Sequence, residues 1–132
     1  MKNTLILILA LLGLLGIFAH LICNKQNDTI VRMGVNIDII EINDTDKTMI
    51  VFYEDKQNNV SMEFKVDCNI AIDQHKIIYC DYQTHIIREI SFDSLCVGDD
   101  LILSMDDAEF LQLQNGDTIQ ALQIQLATQR LE

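Results

Sequence analysis

The chain has 132 residues and a formal net charge of −11, with twenty acidic side chains against nine basic ones. Nucleic acid and anionic lipid headgroups both require clustered Lys and Arg, so this balance argues against either as a partner. Setting aside residues 1–23, which hold only Lys2 among the charges, leaves about 109 residues, enough for one small domain and too few for two.

The first element begins at Leu5 and runs through Ile22 to Cys23, LILILALLGLLGIFAHLIC, with no charge and one titratable group, His20. At about 1.5 Å per residue it spans about 28 Å as a helix, close to the ~30 Å hydrocarbon core of a bilayer. Such a helix satisfies its own backbone polar groups in lipid. The run exceeds the about 7–15 apolar residues of a signal peptide, and no A-x-A site ends it, since Ile17 stands two positions before Ala19. An uncleaved transmembrane anchor over 1–23 is therefore expected, with cleavage and secretion as the alternative. Lipidation of Cys23 is a third reading, but Ile22 supplies no small residue before the cysteine. His20 sits near the end of the run, where snorkelling to the interface explains it. Lys2 on one side and Lys25 and Arg32 on the other, offset by Asp28, barely discriminate orientation. The four-residue start resembles that of a secreted bacterial protein, so the domain is expected outside the cytoplasm, in a single-pass cell-membrane protein.

Residues 24–29, NKQNDT, form a short polar linker, and the domain is expected over 30–132. From Val31 the apolar residues fall on odd positions to Ile39, then slip to Ile40 and Ile42, which predicts a strand with a bulge near 39–40. A turn cluster at 43–47 precedes TMIVFY at 48–53, and a polar loop at 54–59 leads to VSMEFKV at 60–66, whose strict alternation marks a half-buried strand. Strand, turn, strand, turn, strand reads as a meander. Ile70 and Ile72 alternate, and 76–82 and 84–90 look extended. Ser91 is placed to cap a single helical turn over 91–95, and Gly98 supplies positive φ for a tight turn at 97–99. A strand at 101–105 leads to an acidic loop at Asp106 and Asp107. Asn115-Gly116 predicts a hairpin joining 110–114 to the segment from Thr118. LQIQL at 122–126 alternates cleanly and excludes a helix.

These elements predict a mainly β domain, a small OB-like or partly open β-barrel of about six to seven strands, preceded by one N-terminal transmembrane helix. Gly34-Val35-Asn36-Ile37, VSMEFKVD at 60–67, ISFDSLCVGDDLIL at 90–103 and the closing segment 116–124 carry a resemblance. Together they resemble uncharacterised extracytoplasmic small β-barrel (OB-like) domains of bacterial secreted and membrane-anchored proteins, whose pattern ends in D-L-x-x-G-D-x-V-x-V. Ser94 stands here where the usual acid occurs. The resemblance implies fold and location and no activity, because a fold does not fix function.

Chemistry-bearing residues are sparse. Cys68, His75, Cys80, His85 and Cys96 fall within 29 residues, but no two are spaced as the close ligand pairs of a zinc site. A disulfide among Cys68, Cys80 and Cys96 suits an exported domain and leaves one thiol over, with the pair undetermined. Asp44, Asp46, Asp99, Asp100, Asp106 and Asp107 read as turn chemistry, since none sits in a twelve-residue calcium loop. No G-x-S-x-G surrounds Ser91, Ser94 or Ser104, no phosphate-cradling glycine loop occurs, and no Trp offers a sugar platform. No catalytic, cofactor-binding or metal residue is therefore assigned, and no enzymatic activity is expected. Two functions are expected. One is a membrane-anchored interaction module that contacts the bilayer through 5–22 and another envelope or membrane protein through loops, an edge, or a Gln ladder at Gln112, Gln114, Gln120, Gln123 and Gln125. The other is an extracytoplasmic small-ligand or divalent-metal-binding domain.

Overall fold

The computed structural model describes residues 30–130. The apolar run and the linker lie outside the described residues, and among the described residues no helix is long and apolar enough to cross a membrane. Eight strands form one mixed sheet: β1 (Val31–Asn43), β2 (Thr48–Asp55), β3 (Val60–Asp67), β4 (Ile77–Cys80), β5 (Ile87–Glu89), β6 (Asp100–Asp106), β7 (Thr118–Gln120) and β8 (Gln123–Leu126), in the order β5-β4-β8-β6-β1-β2-β3-β7. Two short helices, α1 (Asn69–Asp73) and α2 (Asp107–Leu111), and a 3-10 turn at Phe92–Ser94 complete it.

The expected meander is present as two antiparallel ladders, β1 with β2 and β2 with β3. The predicted bulge is there too: the β1–β2 register slips between Ile39 and Glu41, so the buried series Val35, Ile37, Ile39 resumes at the half-buried Ile42 while Ile40 turns outward. One buried cluster runs through every strand except β5, with Val51, Phe64, Val66, Leu101, Leu103, Met105 and Ile124 essentially inaccessible. Burying each such side chain is worth about 1.5–3 kcal/mol relative to leaving it in water.

The expected barrel is not formed. The sheet stays open, with β5 and β7 as its two edges, and it carries eight strands where six to seven were expected. The reason lies at Ala121 and Leu122. The Ala121 amide donates to Asp67 O at 3.0 Å and the Leu122 amide to Ser104 O at 2.8 Å, so consecutive residues bond to opposite sides of the sheet. The chain kinks there, with β7 parallel to β3 and β8 antiparallel to β6, and no ladder continues across.

Four local expectations need correction. Ile70 and Ile72 lie in α1, where Cys68 O accepts the Ile72 amide at 3.0 Å and Ala71 is fully buried. Burial of that one small residue decides the turn against an alternating strand. Ser91 precedes a 3-10 turn but does not cap it through its side chain; its hydroxyl lies 3.0 Å from that of Ser94 instead. Asp106 and Asp107 are not a loop: Asp106 caps α2 by accepting the Glu109 amide at 2.9 Å, with Asp107 and Glu109 in the first turn favoured by the helix dipole.

The Asn115-Gly116 hairpin is also absent. Phe110 belongs to α2 and packs edge-on against Tyr53, with ring centroids 5.4 Å apart. The turn docks on β3 instead: the Asn115 side chain accepts the Glu63 amide and Gly116 N donates to Glu63 O, both at 2.8 Å, with Gly116 at φ +86°. Lys65 N then donates to Asp117 O, and the chain enters β7 parallel to β3.

Gly98 adopts φ +92° as expected, and its turn is tied down by Asp99. The Asp99 side chain is 7% exposed, accepts the Cys96 amide at 2.8 Å and pairs with the Arg130 guanidinium, which also donates to Ser94 O. Removing a buried charged acceptor of this kind costs on the order of 1–3 kcal/mol. Asp99→Ala is therefore expected to lower the unfolding free energy by that amount and the urea midpoint with it, against no change for Gln57→Ala on an exposed turn; equal midpoints contradict the role assigned to Asp99.

Candidate functional site

Two depressions with distinct chemistry flank the sheet. The first, about 320 Å³, lies between α1, β4, β5 and the 3-10 turn. Its lining includes Ala71, Ile72, Ile77, Ile90 and Phe92, so its floor is apolar. Charges stand at its rim. His75 Nδ1 is 2.8 Å from Glu89 Oε1, and Lys47 Nζ lies 2.7 Å from Asp44 and 3.6 Å from Asp93. Lys47 also sits over the Phe92 ring, 5.2 Å from its centroid.

The backbone makes this rim. Lys47 and His75 are two of four non-glycine residues with positive φ among the described residues, at 56° and 58°. That conformation is costly for a residue with a Cβ and persists where surrounding bonds hold it. Here the Lys47 carbonyl accepts the Cys68 amide at 3.0 Å, and the His75 amide donates to Ile72 O at 3.1 Å. The hydrogen bond to Asp44 holds the Lys47 ammonium above its usual value; burial opposes it, and the charges of Asp44 and Asp93 add to it. The same hydrogen bond lowers the Asp44 carboxyl.

The second depression, about 440 Å³, opens on the outward face of the sheet and includes Asn36, Asp38, Phe52, Glu54, Tyr82 and Asp100. Asp38 of β1 and Asp100 of β6 are direct cross-strand partners. Like charges placed opposite each other destabilise a ladder. Hydrogen bonding to Asp100, then burial, then the charge of Asp100 raise the Asp38 carboxyl above its usual value. A carboxyl raised by a second carboxyl facing it marks a candidate site.

The residues weighed as metal ligands do not converge. Cys68 lies in the core, where burial, reinforced by the Asp67 charge, pushes its thiol up to about 12. Cys80 is half-buried and Cys96 exposed, and all three thiols are free. His75 faces Glu89, while His85 lies in the turn after β4 at φ 59°. Among the described residues no three His, Cys, Asp or Glu side chains come together in a way that could hold a metal ion.

The Gln ladder is broken up as well. Gln112 and Gln120 line a third depression with Asp67 and Asp117, Gln114 lies beyond α2, and Gln123 and Gln125 sit on β8 between β4 and β6. The rim pair His75–Glu89 and the Asp38–Asp100 pair went unread in the sequence. Alternation alone assigns Asp38 to the polar face, but nothing local identifies β6 as the neighbour of β1.

The Asp38–Asp100 pair has a pH signature. A carboxyl whose folded value is raised favours folding in its neutral form, fully below the unfolded value of about 3.9, and loses that contribution as pH rises through the folded value. Asp38→Asn is therefore expected to raise the thermal midpoint near pH 7 and to leave it unchanged below about pH 3. A lower midpoint at neutral pH contradicts repulsion within the pair. Compared with protein-family models, with curated proteins and with solved structures, the chain matches none.

Proposed function

We propose that the chain is a membrane-anchored, non-enzymatic interaction module held outside the cytoplasm, and that the apolar cleft receives an apolar side chain of another envelope or membrane protein. The observation that carries this reading is the cleft itself: an apolar floor of Ile72, Ile77, Ile90 and Phe92 inside a rim whose charges are already paired within the chain. Such a surface offers burial of apolar area at its centre and polar contacts around it, as the recognition centre of an interface does. The anchor is supported by the length and apolarity of 5–22, and the compartment by the resemblance to extracytoplasmic OB-like domains. The open sheet narrows that resemblance to a small β domain without a closed barrel.

A second reading rests on the other depression. The facing Asp38 and Asp100 carboxyls, in a lining that also holds Glu54, Lys56 and Tyr82, suit a small polar ligand such as an amine. The two readings separate experimentally.

A photo-crosslinking residue at Ile90 of the full chain in intact cells is expected to give an adduct of defined mass. The adduct is expected to be absent with the probe at Gln57 and to fall at least several-fold with Ile72→Lys. Absence of any adduct specific to Ile90 contradicts the interaction reading. A rise in thermal midpoint with a small amine that Asp38→Asn abolishes supports the second reading instead.

A further inference from the structure

The chain enters the folded domain at one end of the sheet, and the exposed apolar residues there form a set. Ile30 and Val31 are 72% and 44% exposed, and Ile30 O accepts the Asp107 amide at 2.9 Å. That bond places the first turn of α2 directly against the entry point. Leu111, 67% exposed, ends this five-residue helix, within about 6 Å along its axis. The strand directions bring a fourth residue to the same end. β2 runs antiparallel to β1 and finishes at Asp55, so the turn into β3, with Val60 at 41% exposure, returns to the side where β1 begins. A hollow lined by Arg32, Gly34, Tyr53, Asp55, Lys56 and Phe110 joins the two. Arg32 is already engaged by Asp107 and by the Phe110 ring at 5.1 Å.

The other exposed large apolar residues lie elsewhere. Ile40 follows the β1 residues that pair with β6, Tyr82, Ile86 and Ile87 belong to the β4–β5 hairpin, and Val97 is in the turn before β6. β8 runs antiparallel to β6 and β4 parallel to β8, so the hairpin tip and Val97 both fall at the end opposite Ile30. The turn holding Lys47 follows the far end of β1.

We infer that the Ile30, Val31, Val60 and Leu111 end rests on the lipid–water interface and turns the opposite end of the sheet, with the Lys47 turn, away from the bilayer. The inference rests on the membrane-anchor reading. Its occupant follows from the chain outside the described residues: 24–29 is six residues, at most about 20 Å when fully extended, between the apolar run and Ile30. The tether exceeds the roughly 5–8 Å headgroup layer, so it keeps this end within reach of the interface without fixing it there, and apolar side chains held within that reach gain by burial in it. Asp106, Asp107 and Glu109 at the same end disfavour anionic lipid, so the surface matches a zwitterionic layer.

The chain contains no Trp, so a single introduced Trp reports its own depth. The full chain is reconstituted in phosphatidylcholine vesicles carrying nitroxide lipids labelled at the headgroup or deep in the acyl chain. Leu14→Trp reports the anchor, Leu111→Trp and Val60→Trp the proximal end, and Val97→Trp the distal end. All three domain positions are exposed, and Val97→Trp controls for the affinity of Trp itself for interfaces.

The expected result is deep quenching at Leu14, headgroup-level quenching of at least twofold at Leu111 and Val60, and none at Val97. Quenching at Leu14 with Leu111 and Val60 as unquenched as Val97 overturns the inference and leaves the anchor standing. Equal quenching at all three domain positions also overturns it, because the domain then has no fixed pole. Lack of quenching at Leu14 refutes the anchor, and the inference falls with it.

Discussion

The fold depends on β1 serving two ladders in succession. Its thirteen residues pair with β6 from Val31 to Asp38 and with β2 from Asp38 to Asn43, so Asp38 is paired on both sides. Register slips flank this handover, between Arg32 and Val35, where Gly34 adopts φ +76°, and between Ile39 and Glu41. At the second slip the Ile39 amide donates to Asp99 O at 3.0 Å, and its carbonyl accepts Gly98 N at 2.8 Å. The turn before β6 thus carries the β6-side pairing of β1 one residue past Asp38, level with the bulge on the β2 side, and satisfies the buried Ile39 backbone. Asp99 and Arg130 secure that turn and with it the last residues described.

The consequence is a sheet of two halves. The meander β1–β2–β3 carries β7, and β6 carries β8, β4 and β5. They share β1 and meet again at the Ala121–Leu122 kink. Short α1 and the 3-10 turn close over the apolar face near β4, and the gap they leave is the cleft. The surface charge is managed locally, since Lys47, Arg32 and Arg130 each face a carboxylate of this chain. The exposed Lys47 pair is worth about 0–1 kcal/mol, so its effect is to fix geometry at the rim, whereas the Arg130 pair has a buried partner in Asp99 and stabilises the turn it holds. The chain as a whole keeps an acidic excess, with twenty acidic side chains against nine basic ones.

What the sequence reveals follows from range. Strands whose alternation is set by one buried face were legible, including the β1 bulge, because a phase slip from Ile39 to Ile42 is written in consecutive residues. Gly98 was legible because few other residues suit its φ. Parallel pairing was not. Asn115-Gly116 carries a hairpin signature, yet its hydrogen bonds go to Glu63, fifty-two residues away along the Asn115 contact, and no local signal encodes that choice. Phe110 belongs to a helix because Asp106 caps it and Tyr53 packs on it, whereas the Asn115-Gly116 hairpin signal made 110–114 a strand. The cleft was equally hidden, since it joins the β1–β2 turn to α1 and β5. His75 was grouped with the cysteines when its partner is Glu89.

The central claim is that β1 couples the two halves into one cooperative sheet. Amide hydrogen exchange of the full chain in detergent micelles, read residue by residue, tests it most directly. The account predicts slow exchange, governed by global unfolding, for hydrogen-bonded amides in both the β6-paired and the β2-paired segments of β1, with Ile39 among them. Exchange of the β6-paired segment at loop-like rates while β2 and β3 stay protected would contradict it, because the halves would then open independently.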